Sequence, residues 1–129
     1  MAFRNPWDAG ALLVWSDATH WAKLNFERAP DGPPGVYPVV TRGVSDDAVS
    51  WSVDSEAVWL RISRLGDTFA FHASGDGRTW RLVRQFLLAG PDAVRVGIEA
   101  QSPVGDGCTA TFDHITLTPT ELTHMFDGS

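Results

Sequence analysis

The sequence predicts an all-β sandwich or barrel. Short runs rich in Val, Ile, Phe, Trp and Thr recur about every 8–12 residues, the spacing of strands in such folds. Clusters of Gly, Pro, Asp and Ser separate the runs, and helical periodicity is scarce. Strands are expected at Ala11–Trp15, His20–Glu27, Tyr37–Arg42, Val49–Val53, Ala57–Leu65, Thr68–Ser74, Trp80–Phe86, Val94–Gln101 and Thr109–Leu117.

Alternation justifies several of these, because a half-buried antiparallel strand sends successive side chains to opposite faces. In His20–Glu27, Ala22, Leu24 and Phe26 oppose Trp21, Lys23, Asn25 and Glu27. In Ala57–Leu65, Val58, Leu60 and Ile62 point one way, and Trp59, Arg61 and Ser63 the other. In Val94–Gln101, Val94, Val96, Ile98 and Ala100 share a face, leaving Arg95, Gly97, Glu99 and Gln101 opposite. The apolar rows are the expected core.

The turns follow from their residues. Leu65-Gly66-Asp67 and Ser74-Gly75-Asp76-Gly77 supply the positive-φ positions of tight hairpins, so the strands on either side should form a three-stranded meander. Asp31-Gly32-Pro33-Pro34-Gly35 is expected as a surface loop outside any ladder, and Ser102–Gly107 as another. Pro119–Ser129 reads as a tail, either loose or making one helical turn across an open end with Thr120 as its cap.

Composition bounds the function. The 129 residues, 43% hydrophobic and 20% charged without a block of like charge, fit one domain over 1–129. A chain of this size buries about 68–70% of its unfolded surface and needs no disulfide or metal staple. Net charge is −6, and Lys23 is the single lysine beside nine arginines. Arg78, Arg81 and Arg84 alternate between strand faces instead of clustering, which argues against a nucleic-acid partner. Cys108 has no companion, so folding requires no oxidising compartment. The first residues lack the apolar stretch of a secretory signal, and the longest apolar run, Ala11–Trp15, is far short of the roughly 20 residues that cross a bilayer. A cytoplasmic address with no membrane partner is expected.

A family resemblance emerges from ordered segments. Ala9-Gly10-Ala11-Leu12-Leu13-Val14, Trp21–Glu27 and Val39-Val40-Thr41-Arg42-Gly43 resemble, in that order, the pattern of the family DUF1349. Val58–Ile62, Ser74–Trp80, Val96-Gly97 and Ser102–Gly107 are similar to its later segments. The series runs from about Trp7 to the end, and its order carries the resemblance rather than any single motif. That family is placed with the concanavalin A-like lectins and glucanases, and includes a fungal protein named for regulation of enolase. The resemblance implies a jelly-roll of two antiparallel sheets. Members usually carry strands ahead of the Ala-Gly-Leu segment, so part of one sheet is expected to be absent or supplied by a partner. The Ser45–Trp51 tract is also longer than the family's usual Ser-Asp-Trp.

Candidate chemistry follows from the polar rows. Glycoside hydrolysis needs two carboxylates about 5–10 Å apart. Laminarinase-type relatives carry Glu-x-Asp-x-x-Glu, and none of Glu27, Glu56, Glu99 or Glu121 starts that pattern. Glu27 and Glu99 could face each other from different strands, or pair with Lys23 or Arg95 as ordinary surface residues. Sugar binding asks less: an aromatic platform for the apolar face of a pyranose and a few polar groups for its hydroxyls. Trp21, Lys23, Asn25, Glu27, Trp59, Arg61, His72, Arg95, Glu99 and Gln101 supply that inventory if their strands share one sheet face. Trp51 and Trp80 read more simply as packing residues.

The remaining motifs are structural. Ser74–Trp80 is similar to a shortened Asp-box, in which Asp and Ser bond turn amides above a packed Trp. His20, His72, His114 and His124 form no close ligand pair, and no Gly-x-Ser-x-Gly elbow is present. Calcium at Asp46, Asp47 or Asp106 is the remaining metal option, without a complete oxygen-ligand loop. The expectation is a non-catalytic domain that binds an oligo- or polysaccharide through a polar and aromatic sheet face, with no cofactor. The alternative is a structural or interaction domain, either a homodimer joined at exposed sheet edges or an accessory module of a larger glycan-active protein.

Overall fold

A computed structural model describes residues 2–88 and 93–129. Among the described residues, nine strands form two antiparallel sheets: β1 (Ala9–Asp17), β2 (His20–Arg28), β3 (Pro34–Arg42), β4 (Val44–Asp47), β5 (Trp51–Ser52), β6 (Trp59–Leu65), β7 (Thr68–Ser74), β8 (Arg81–Leu87) and β9 (Arg95–Gln101). The larger sheet runs β4-β3-β2-β1-β9 with β5 also on β3, and the smaller is β6-β7-β8. The expected meander is therefore present, with Gly66 and Gly77 at φ 60° and 71° in its two turns. Ser74 and Asp76 hold the second turn: Ser74 Oγ accepts from Gly77 N (2.9 Å), and Asp76 Oδ1 from the amides of Arg78 (2.8 Å) and Thr79 (2.7 Å).

The sheets pack face to face. Val14, Ala22, Leu24, Phe26, Val36 and Val40 from the larger meet Phe69, Phe71, Ala73 and Phe86 from the smaller in one buried cluster. Phe86 lies 4.7 Å from Phe71 and 5.6 Å from Phe69, ring centre to ring centre. The apolar rows of β2 and β6 thus reach the core as expected, with Val58, Leu60 and Ile62 half-buried at its margin.

Three expectations are corrected, and one alternative is decided. Val96 and Ile98 are 55% and 50% exposed, because β9 lies at the end of the larger sheet and the three-stranded sheet does not reach across to it. Thr109–Leu117 forms no strand; only Thr109 makes a bridge, to Ala2. Strand-forming residue types alone do not make a strand, which also needs a partner for its backbone. Pro34 and Gly35 lie in β3 rather than in the loop, opposite Arg28 and Glu27. Pro38 also sits in that strand, where its missing N–H is tolerated: β4 pairs with residues 39–42 and β5 with residues 35–36, so the ladder on that side skips it. Of the two readings of the tail, the helical turn is absent; Thr120 exchanges a hydroxyl contact with Thr118 (3.1 Å) instead of capping one.

Phe71 is fully buried at the contact of the two sheets. Phe71→Ala should therefore lower unfolding free energy by about 3–5 kcal/mol. Urea denaturation checks this, and a loss under 1 kcal/mol would contradict the packing described.

Candidate functional site

The outer face of the larger sheet carries a groove of about 660 Å3, and β2 supplies its floor. Lys23, Asn25 and Glu27 alternate with the core residues of β2 and line it with Trp21. Register brings Tyr37 beside Asn25 and Val39 beside Lys23, with Asp47 next to Val39. Ser45, Asp47, Ala48 and Val49 form the wall beyond β3. Trp7 and Pro30 stand at the end where β2 leaves the sheet, opposite Trp21.

On the other side, β9 reaches the floor over β1. Ala9 and Ala11 lie between Gln101 and Glu99 on one flank and Glu27 and Asn25 on the other. These two small side chains let long ones meet above them. Gln101 Nε2 donates to Glu27 Oε2 (3.2 Å) and to the Trp7 carbonyl (3.1 Å). Lys23 Nζ donates to Gln101 Oε1 and lies 3.4 Å from Glu99 Oε1. The same ammonium is 5.6 Å from the centre of the Trp21 ring. One polar chain therefore links Glu27, Gln101, Lys23 and Glu99.

Two features mark this floor as more than a solvated face. Asn25 is 1% exposed; its Nδ2 donates to Glu27 Oε2 (3.0 Å), while its buried Oδ1 has no partner. A buried acceptor left unpaired costs about 1–3 kcal/mol, which a ligand hydroxyl would recover. Trp7 adopts φ 68°, a conformation that costs a bulky residue about 1–3 kcal/mol. Its backbone is pinned by its N–H to the Arg28 carbonyl (2.9 Å) and by Gln101 on its own carbonyl. Behind it, buried Asp8 accepts from the amides of Arg4 and Asn5 (2.9 Å each) and from the Ser102 hydroxyl (2.6 Å).

Burial pushes the Glu27 carboxyl up to about 6; the Asn25 hydrogen bond and the Lys23 charge oppose this, and the Asp47 charge adds to it. Burial and the Glu27 charge also raise the Tyr37 hydroxyl. Among the described residues, no group of three His, Cys, Asp or Glu side chains is arranged to hold a metal ion.

The ten residues singled out from the sequence divide between the two sheets. Trp21, Lys23, Asn25, Glu27, Glu99 and Gln101 come together at the groove. Arg95 shares their face but lies beyond it, lining a separate depression of about 310 Å3 with Leu13 and Trp15. Trp59, Arg61 and His72 belong to the smaller sheet, on the face turned away from the core. Trp59 packs against His114 at 5.1 Å, and Arg61 lies 3.7 Å over Trp80. Trp7 and Tyr37 were not singled out, and Asp47 only as a calcium candidate; the alternation of Tyr37, Val39 and Thr41 was a usable signal for Tyr37, and no local pattern marks Trp7.

These features define a two-sheet all-β domain with an aromatic, polar-floored groove on one outer face. The chain belongs to the family described as protein of unknown function (DUF1349), whose model matches residues 1–120. It is similar to "Regulation of enolase protein 1" of Saccharomyces cerevisiae (strain ATCC 204508 / S288c), with 29% identity over 118 residues, covering 91% of this chain and 59% of that protein. It is also similar to the crystal structure of a functionally unknown protein from Saccharomyces cerevisiae, with TM-score 0.71 and 29% identity, covering 79% of this chain and 55% of that one. The chain thus spans less than two thirds of the length of either match. Among the described residues, no helix is long and apolar enough to cross a membrane.

The folded pKa of Glu27 lies above its unfolded value of 4.5. Its contribution to stability is therefore complete below about 4.5 and is lost as pH rises through about 6. A carbon-13 titration of the Glu27 carboxyl should give a midpoint near 6, and Glu27→Gln should flatten the fall in stability across that window. A midpoint at or below 4.5 would show that the carboxyl is solvated.

Proposed function

We propose that the groove binds a carbohydrate without cleaving it. The observation that carries this reading is the unpaired, buried Asn25 Oδ1 beside Glu27 and Gln101 on a floor walled by Trp7, Trp21 and Tyr37. Flat aromatic surface suits the apolar face of a pyranose, and fixed acceptors and donors beneath it suit the hydroxyls. Asn25 Oδ1 and Glu27 accept; Lys23 donates. A volume near 660 Å3 accommodates a sugar of one to a few residues. Neither folding nor this binding calls on a disulfide, since Cys108 is a free thiol donating to the Gln101 carbonyl (3.0 Å), and a cytoplasmic address fits.

Titration with a panel of oligo- and polysaccharides, read by tryptophan fluorescence and calorimetry, tests the reading. Trp21→Ala and Lys23→Ala should each weaken a hit at least about tenfold, or about 1.4 kcal/mol. Trp59→Ala should leave affinity unchanged, since Trp59 is on the other sheet. A silent panel with folded protein, or equal losses from Trp21→Ala and Trp59→Ala, sinks it.

A different observation favours a second reading, an interaction domain. Val96 and Ile98 present an apolar face on β9, whose outer edge pairs with no strand among the described residues. Such an edge supports a homodimer joined through sheet edges. Sedimentation should then show a concentration-dependent dimer that Ile98→Lys abolishes; a monomer at every concentration rejects it.

A further inference from the structure

We infer that the outer face of the smaller sheet is a peptide-binding surface, which residues 123–129 occupy in the same chain and which accepts that segment from another chain. The surface is built by Arg61 on β6, His72 on β7 and Trp80 just before β8. The Arg61 guanidinium stacks on Trp80 and donates to the Gly128 carbonyl. His72, fully buried, donates from Nε2 to the Met125 carbonyl (2.6 Å).

A carbonyl can only accept, so the His72 proton is on Nε2. Burial, with the Arg61 charge beside it, holds the ring neutral, against the Met125 hydrogen bond and the Asp127 charge. Nδ1 is then a bare acceptor, buried and without a partner. Two polar side chains are thus committed to a cover that contributes little packing of its own. Among residues 123–129 only Gly128 is buried, and Phe126 is 82% exposed.

The contacts suit recognition of a backbone. Both anchors on the segment are main-chain carbonyls, so its side chains are not what the surface reads. The segment is also preshaped: Ser129 O accepts from the amides of Thr123 (2.6 Å) and His124 (2.7 Å), and His124 O from Gly128 N (3.0 Å). One position is sequence-selective. A Cβ on Gly128 would stand 3.1 Å from Arg61 Nη1, 3.2 Å from His72 Cδ2 and 3.2 Å from Trp80 Cβ, at φ 71°. The ligand class is therefore a short looped peptide with glycine at the point of closest approach.

Such a cover should open alone. Few buried apolar contacts and a mostly exposed backbone mark the low end of local stability. Hydrogen exchange on the full chain should show the Thr123 and His124 amides exchanging by local opening, while β7 amides wait for global unfolding. Exchange of both sets together would make the segment a fixed part of the fold and overturn the inference. Gly128→Val, which leaves every sheet residue in place, should vacate the surface. The synthetic peptide Thr-His-Met-Phe-Asp-Gly-Ser should then bind this variant saturably, shifting the Trp80 indole and Arg61 side-chain NMR signals toward their wild-type positions. It should bind the wild-type chain at least about 100-fold more weakly, because the tethered copy competes at high effective concentration. A segment still docked in the variant, or a vacant surface that ignores the peptide, also overturns it.

Discussion

Everything in this domain depends on β2 being buried on both faces. Its even-numbered residues Ala22, Leu24 and Phe26 enter the core, and its odd-numbered residues Asn25 and Glu27 are almost as deeply covered on the other side. A strand in that position cannot leave polar groups unmatched, since burying an amide or carboxyl without partners costs several kcal/mol. The partners come from two strands away. Gln101 on β9 reaches Glu27 across Ala9, and Lys23 reaches back to Gln101 and Glu99. Small residues on β1 are thus the condition for the polar network above it, as larger side chains at 9 and 11 would stand between the flanks. Asn25 Oδ1 is the place where the matching stops, and it stops at the groove.

The inequality of the two sheets organises the rest. A three-stranded meander covers one face of the larger sheet over β1, β2 and β3, where the shared core lies. It cannot also cover β9, so Val96 and Ile98 remain exposed. The outer face of the meander is covered as well, and the donors of His72 and Arg61 there are met rather than stranded. The C-terminal stretch supplies acceptors through its main chain, and His114 supplies a ring for Trp59.

Period-two alternation made the strands legible because it reports which residues share a face, and four floor residues of the groove came from one run of β2. It does not report which sheet a strand joins. Trp59-x-Arg61 on β6 and Trp21-x-Lys23 on β2 look alike locally, although their strands lie in different sheets with their polar rows facing away from each other. Pairing decides this, and pairing is set by long-range contacts that no short window contains. The same limit explains Thr109–Leu117, whose residue types are strand-like but whose backbone finds only the Thr109 bridge. Trp7 was illegible for another reason. Its position depends on a positive φ fixed by the adjacent Asp8 turn and by Arg28 and Gln101, ties that come from two distant parts of the chain. Tyr37 lay in an expected strand and Asp47 among the calcium candidates; what no local window carries is the pairing that sets Tyr37 beside Asn25 and Asp47 beside Val39.

The two outer faces have opposite recognition chemistry, and their separation follows from the sandwich. The groove offers side chains, rigid aromatic walls and an unfilled acceptor, which suits a ligand presenting hydroxyls from many directions. The smaller sheet offers donors to main-chain carbonyls and a close approach that favours glycine, which suits a chain. Between them lie two backbones and one apolar layer, so the floor of the groove and the anchors of the peptide surface share no side chain. Sheets packed face to face stand about 10 Å apart, and only the core, through residues such as Phe71 and Leu24, touches both. A close-packed layer transmits a displacement only by repacking. Occupancy of one face therefore leaves the other unchanged unless the ligand moves β2 or β7 as a whole. Both strands are central in their sheets and paired on each side, which makes them the elements least free to move.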